Sequence, residues 1–537
     1  MRLAILLIIF LAMAIVSARV AADDRPFTEL IFVDHENLRY VEDEDIIRYQ
    51  VEEIKKNLDR AAKYGIDTYL FFAKETMEAM LNYDFNVPQI GNIGQQAFPA
   101  DSKHRETGEY LRSALAEVLD YAEDKNIRVF FHSNQFIFPK QVLEIIKPAT
   151  WGTAVCPGRE ATWRVYQGKL DEFFRLFPEI AGIQITGDET QVSVLSCECD
   201  DCKDMSFVER VNKLTNETAR IANEHGKEVQ MRTWQRMGEL GDPANIDTGI
   251  PDNVYFSIKN TDGDFKLSHD MDREFLTAAK PERLIVEFDA WREYEGHNFF
   301  PCYMGDIWSP RIKFLHASKI KRIAVRLMWN SNKNPIFQRP WGNFVNLYTF
   351  LELTKNPDFD PDDILRRFVA EHYPPSAQQA AFDLYKFSPR FQETIYYVKG
   401  NYNADHSRVQ DEDTEDDLED AQDEGFMTKA EDFDIRRKHI NEVCDQALEL
   451  VDRLGGELPA QWIEDMRDGI KVERYVALST TDKMEFMFLQ QNMSSGDNME
   501  AALSDLKSSM EARAREWKTW DSDSYDSMNG DEMFEVF

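Results

Sequence analysis

Eight short apolar runs punctuate residues 28–329: 28–33, 66–73, 127–133, 181–186, 227–234, 254–259, 283–288 and 322–329. Continuous apolar runs are expected of parallel strands buried on both faces. Between most of them the apolar positions change to three- and four-residue steps. In 44–65, Ile47, Val51, Ile54, Leu58 and Ala62 fall on one helix face. Gly65 stands where a helix C-cap glycine belongs. Eight strand–helix units in roughly 330 residues are the arithmetic of a (β/α)8 barrel. A doubly wound open sheet is the alternative, but no glycine-rich phosphate loop follows the first strand. The pattern therefore predicts an α/β fold with a (β/α)8 TIM barrel over 23–356.

After Pro357 the strand-like apolar runs disappear. Segments 362–373, 435–454 and 460–478 all carry helical spacing, which predicts an all-helical C-terminal domain over 357–537. Its helices offer a surface for homodimerisation. Within it, 409–425 is a dense acidic run, read as a solvated loop because it lacks calcium-loop spacing. At the other end, Arg2 precedes an apolar stretch of about 14 residues, too short for a comfortable bilayer span. Small residues follow at 17–22. Residues 1–22 read as a signal peptide, with an uncleaved anchor as the alternative. The expected location is secreted or periplasmic, with no membrane contact after cleavage.

Composition narrows the partners. The 537 residues hold 62 Lys and Arg against 97 Asp and Glu, a net charge of −35. Such acidity argues against nucleic acid and anionic membranes. An anionic substrate would need a local basic pocket. Six cysteines are too few to build the core. Three cluster as Cys197, Cys199 and Cys202, and Cys156 precedes them in the loop after the third strand. In an exported protein these four are expected to form disulfides; zinc is the alternative.

Barrel chemistry belongs at the C-terminal strand ends. Those ends carry Asp34 and His35; Lys74 and Glu75; His132 and Asn134; Asp188 and Glu189; Trp234, Gln235 and Arg236; Lys259, Asp262 and Asp264; Glu287, Asp289, Trp291 and Glu293; and Arg326, Trp329 and Asn330. Carboxylates, cations and tryptophans on one rim suit a carbohydrate site: acids move protons, aromatic faces stack on sugars, and cations or amides fix hydroxyls. Asp34 with His35 and His132 is read as polar rim rather than metal site. Glu189 is the strongest proton-donor candidate. It follows Gly187 and Asp188 at a strand end, and two adjacent carboxylates raise each other's pKa. Asp264 and Glu293 are the next candidates, one of them activating water. Trp234, Arg236, Lys259, Trp329 and Asn134 are candidate substrate contacts. No cofactor is implied.

Three stretches resemble the microbial α-glucuronidases that release glucuronic acid from xylan side chains. Ile258-Lys259-Asn260-Thr261-Asp262-Gly263-Asp264-Phe265 is similar to that family's sixth-strand pattern, Glu293-Tyr294-Glu295-Gly296 to its seventh-strand element, and 346–368 to the helices that follow its eighth strand. The resemblance implies Glu189 as general acid, Asp264 and Glu293 as bases around the hydrolytic water, and Lys259 as a contact to a uronate carboxylate. It also implies inversion, with carboxyl groups about 6.5–9.5 Å apart. Gln235 stands where that family has an arginine, with Arg236 one step later. Gly187-Asp188-Glu189 also resembles the β-hexosaminidases, which implies a retaining, substrate-assisted mechanism through Asp188. A non-catalytic carbohydrate-binding barrel is the third reading.

Overall fold

A computed structural model describes residues 25–35, 38, 43–72, 76–134, 136–151, 154–186, 197, 199–232, 250–271, 273–278, 280–328, 334–404, 406–409, 414–456, 458–492 and 497–517. The signal-peptide segment 1–22 lies outside them. Eight parallel strands close a barrel: β1 (Glu29–His35), β2 (Thr68–Phe72), β3 (Arg128–Asn134), β4 (Gly182–Thr186), β5 (Glu228–Arg232), β6 (Val254–Lys259), β7 (Leu284–Asp289) and β8 (Arg322–Met328). Each lies within two residues of its predicted run. Closure is made by β1, which pairs with both β2 and β8.

Strand side chains alternate between two environments, as the pleat requires. Ile31, Val33, Leu70, Phe130, Ile285 and Ala324 fill the barrel interior. Their neighbours Phe32, Phe71, Phe131, Ile183, Val286 and Val325 face the surrounding helices. Those helices are α1 (Glu44–Tyr64), α2 (Lys103–Glu123), α3 (Glu160–Leu176), α4 (Phe207–Glu224), the short α5 (Arg273–Ala278), α6 (Gly305–Ala317) and α7 (Phe344–Lys355). In α1 the buried face runs through Ile47, Val51, Ile54 and Leu58 and ends on Ala61, not Ala62. Its last step is three residues rather than four. Gly65 closes α1 in the left-handed region at φ 71°, donating to the carbonyls of Ala61 and Ala62. A capping box starts α4: Glu209 N donates to Ser206 Oγ at 3.3 Å, and Ser206 N to Glu209 Oε2 at 2.8 Å.

From Pro361 the chain is mainly helical: α8 (Pro361–His372), α9 (Gln378–Tyr396), α10 (Thr414–Asp423), α11 (Ala430–Leu454), α12 (Ala460–Asn492) and α13 (Asp497–Trp517). A two-residue hairpin, Tyr397–Val398 with Asn401–Tyr402, interrupts them. One reading changes here. The acidic run is not all loop, because 414–423 is helical and buries Leu418 and Ala421 against Phe433 and Phe488. The helical region packs directly on the barrel. Phe299, Phe300, Tyr303 and Trp341 of the barrel share one core with Phe368, Leu384, Phe391 and Ile470. Among the described residues no helix is long and apolar enough to cross a membrane.

Candidate active site

The barrel interior changes character toward the C-terminal strand ends. Above the apolar layer, Gln184 Nε2 donates to Gln230 Oε1 at 3.0 Å. Above that stand charges. Strand register sets Lys259 beside Glu287, and Asp289 beside Arg326. Arg232 Nε donates to Glu287 Oε2 at 3.0 Å, and Arg326 Nε to Glu287 Oε1 at 3.1 Å. Burial would raise the Glu287 carboxyl, but the Arg232 and Arg326 guanidiniums outweigh it and hold it below the usual glutamate range. Glu287 is thus an ionised anchor that fixes both arginines.

Two of the predicted acids meet on this anchor. Arg326 reaches past Glu287 to form an ion pair with Glu293. Lys259 forms an ion pair with Asp264. Their surroundings bias the two acids in opposite directions. Burial pushes Glu293 up; Arg326 and His406 oppose this, while Asp264 and Asp289 add to it. Burial also acts on Asp264, but the Lys259 ammonium, with help from Tyr294 and Arg326, holds it well below the usual carboxylate range. Lys259 is lowered by burial, with Asp264 acting against the shift. Solvent reaches Asp264, whose side chain is 27% exposed, whereas those of Lys259 and Glu293 are nearly closed off.

The loop after β7 supports Glu293. Residues 290–304 are buried throughout, which is unusual for a loop, so their backbone groups need protein partners. Asp289 accepts from Trp291 N at 3.1 Å and from Glu293 N at 2.7 Å. Asn343 Oδ1 accepts from Cys302 N at 2.7 Å, and Asn346 Oδ1 from Met304 N at 2.9 Å. The helical region closes the set. Ser407 Oγ donates to Glu293 O at 2.8 Å and accepts from Gly296 N at 2.9 Å. His406 Nε2 lies 3.6 Å from Glu293 Oε1. The His406 ring stands 5.2 Å from that of Tyr294, and the Tyr402 ring 5.4 Å from it. Beneath the cations, Phe265 faces Lys259 at 5.2 Å and Arg326 at 4.7 Å.

The structure brings Lys259, Asp264 and Glu293 into one cluster. Lys259 neutralises Asp264, a pairing that the sequence reading did not include. Trp291 is buried, stacks on His297 and donates to Asn334 O at 3.0 Å. Asp188, Glu189, Trp234, Arg236 and Trp329 lie outside the described residues, as does the side chain of Asn134. Asp34 accepts from Asn57 and Tyr69, and His132 Nε2 lies 2.6 Å from Thr186 Oγ1; the side chain of His35 lies outside the described residues. Sequence reasoning missed Arg232, which ends its strand two residues earlier than expected. It also missed His406 and Ser407, which no strand-end rule could indicate.

The cysteines correct an expectation. Cys156, Cys197, Cys199 and Cys202 meet as anticipated for their two loops, yet all four are free thiols rather than disulfides. Their sulfurs lie within 4.8 Å of one another, and all four residues are buried.

No family model matches the chain, and no curated protein matches it. Solved structures do. A GH138 enzyme targeting pectin rhamnogalacturonan II superposes with a TM-score of 0.58 at 10% identity, covering 92% of this chain and 76% of that one. CpGH89 from Clostridium perfringens reaches 0.48 at 10% identity, over 86% of this chain and 58% of that one. The Thermobaculum terrenum O-GlcNAc hydrolase reaches 0.46 at 10% identity, over 95% of each. The first likeness is one of fold; the other two are too remote to add to it.

Proposed function

We propose that the chain is a glycoside hydrolase that removes a terminal sugar from a polysaccharide or oligosaccharide, and that it acts outside the cytoplasm once residues 1–22 are cleaved. The observation that carries this reading is the Asp264–Glu293 pair. Two carboxyls share one network of cations, yet one is held ionised and the other is pushed toward its neutral form. Groups driven apart in this way suit acid/base roles. Asp264, ionised and open to solvent, is placed to take a proton from the attacking water. Glu293 borders the same space and is the alternative base. Glu189, at the end of β4, is the proton donor to the leaving oxygen, and the mechanism inverts. The fold shared with an enzyme targeting pectin rhamnogalacturonan II accommodates such chemistry.

A uronic acid at the cleaved position is the finer reading. Arg232, Lys259 and Arg326 supply three positive charges, while Asp264 and Glu287 supply two negative ones. Glu293 is the third acid, paired with Arg326, so a substrate carboxylate would bind by exchanging with one of these carboxylates at Lys259 or Arg326. These buried cations also answer the objection that an acidic protein repels an anionic sugar.

The test is turnover of aryl glucuronides, aryl hexosaminides and xylan-derived aldouronic acids, with the product anomer followed by NMR. Inverted glucuronic acid, lost in Asp264→Asn and in Glu189→Gln, is the expected result. Full activity in Glu189→Gln would remove the proton donor from the scheme. Retention on a hexosaminide, with Asp264→Asn harmless, would transfer the reading to substrate assistance by Asp188. Binding of these sugars without turnover would leave a non-catalytic barrel.

A further inference from the structure

We infer that the chain binds one zinc ion through Cys156, Cys197, Cys199 and Cys202, as a closed structural centre joining the loop after β3 to the loop after β4. Three ligands come from a C-x-C-x-x-C segment and one from the facing loop. The sulfurs of Cys156 and Cys199 are 3.2 Å apart, those of Cys199 and Cys202 3.4 Å, and those of Cys156 and Cys202 3.9 Å. Thiolates about 2.3 Å from a tetrahedral zinc stand roughly 3.8 Å from each other. A disulfide brings its two sulfurs to about 2.05 Å. The cluster has the first spacing, not the second.

The surroundings are built for such a centre. The four residues are at most 6% exposed, and among the described residues Met205 packs with them as an apolar companion. Around Cys199 the backbone turns tightly: its carbonyl accepts from Cys202 N at 3.0 Å and from Lys203 N at 2.8 Å. The opposing loop lies so close that a Cβ at Gly158 would meet the Asp201 carbonyl at 2.7 Å. Zinc with four thiolates carries a net charge of −2, and two cationic side chains, the buried Arg210 and the half-buried Lys213, are placed beside it. Arg210 donates to the carbonyls of Cys197 and Cys202, each at 2.7 Å. Lys213 donates to the Pro157 carbonyl at 2.9 Å. On binding, four thiols release four protons and nothing is oxidised or reduced. Four protein ligands leave no open position, so the ion holds loops and performs no chemistry on a substrate.

The test uses the full chain purified from cells grown with zinc. Elemental analysis is expected to find one zinc per chain. Thiol titration in denaturant should then find all six cysteines reactive once EDTA is present. Cys199→Ser should lose at least nine-tenths of the zinc, and Cys444→Ser should keep it. If Cys199→Ser fails to fold, mercurial-triggered zinc release from the wild-type chain still decides. A mass lower by four hydrogens with two reactive thiols would replace the centre by two disulfides. Six thiols with no metal would overturn it outright. Iron in place of zinc would overturn the choice of metal.

Discussion

The two sides of the barrel rim hold their loops by different means. On the β6–β8 side, buried charges are compensated pair by pair, and the helical region reaches down with Ser407 and His406 to secure Glu293. On the β3–β4 side, four thiols converge, and among the described residues the cations beside them reach backbone carbonyls rather than carboxylates. A buried charge must find its partner within the protein, so the first side is fixed by folding alone. Thiols make weak hydrogen bonds and do not by themselves set a geometry. The first rim is therefore preorganised by the chain, while the second is left open to a ligand.

The strongest test of that contrast is Asp264→Asn. It removes the ionised acid but keeps its shape, and should lower kcat/KM by about 10²–10⁴-fold; because it weakens the compensation of the buried Lys259, a fall in melting temperature should accompany that loss. A large loss of stability with no effect on turnover would make the β6–β8 cluster merely structural. Next comes Arg326→Met, which strips Glu287 and Glu293 of a shared partner. Chemical denaturation should show a loss of about 3–5 kcal/mol. A neutral result would mean that compensation does not hold this side together. Gly296→Ala should cost about 1–3 kcal/mol. Gly296 has φ 82°, and an added Cβ would overlap the Glu473 carboxyl.

Glu473 gives a pH test. Burial drives its carboxyl well above the ordinary glutamate range; Glu295 adds to this, while Gln392 and the Phe300 backbone oppose it. A raised folded value means that the folded chain keeps this proton longer than the unfolded chain. The stabilisation is therefore complete below the ordinary glutamate range and is lost as pH rises toward the raised value. The decline of unfolding free energy with rising pH should become shallower by at most about 1.4 kcal/mol per pH unit in Glu473→Gln. An unchanged slope would show Glu473 to be ionised in the fold. The smallest effect is expected for Ser407→Ala, about 1 kcal/mol in stability. A larger fall in kcat than in stability would show that this tether positions Glu293.

The eight strands were legible because each is an apolar run between helical spacings, and burial on both faces leaves that mark. Lys259, Asp264 and Glu293 were legible because strand ends point at the barrel mouth. Arg232 was misplaced by its position rather than its type: the run 227–234 reads on past the true strand end. His406 and Ser407 left no trace in the pattern. They act from a turn 114 residues beyond Glu293, and only tertiary packing brings them back. The cysteine loops were paired correctly from topology. Disulfides were expected of them because the exported setting was given more weight than the C-x-C-x-x-C spacing.

The Ser407 tether bears on how such a chain can be cut and recombined. A chain ending near residue 356 would keep every strand and every predicted acid of the rim. It would lose the hydroxyl that ties Glu293 O to Gly296 N, and the aromatic partners Tyr402 and His406. The barrel is thus not a cassette to be exchanged between proteins. Its heritable unit includes the helices, and shuffling at the apparent seam would break the site while sparing the scaffold.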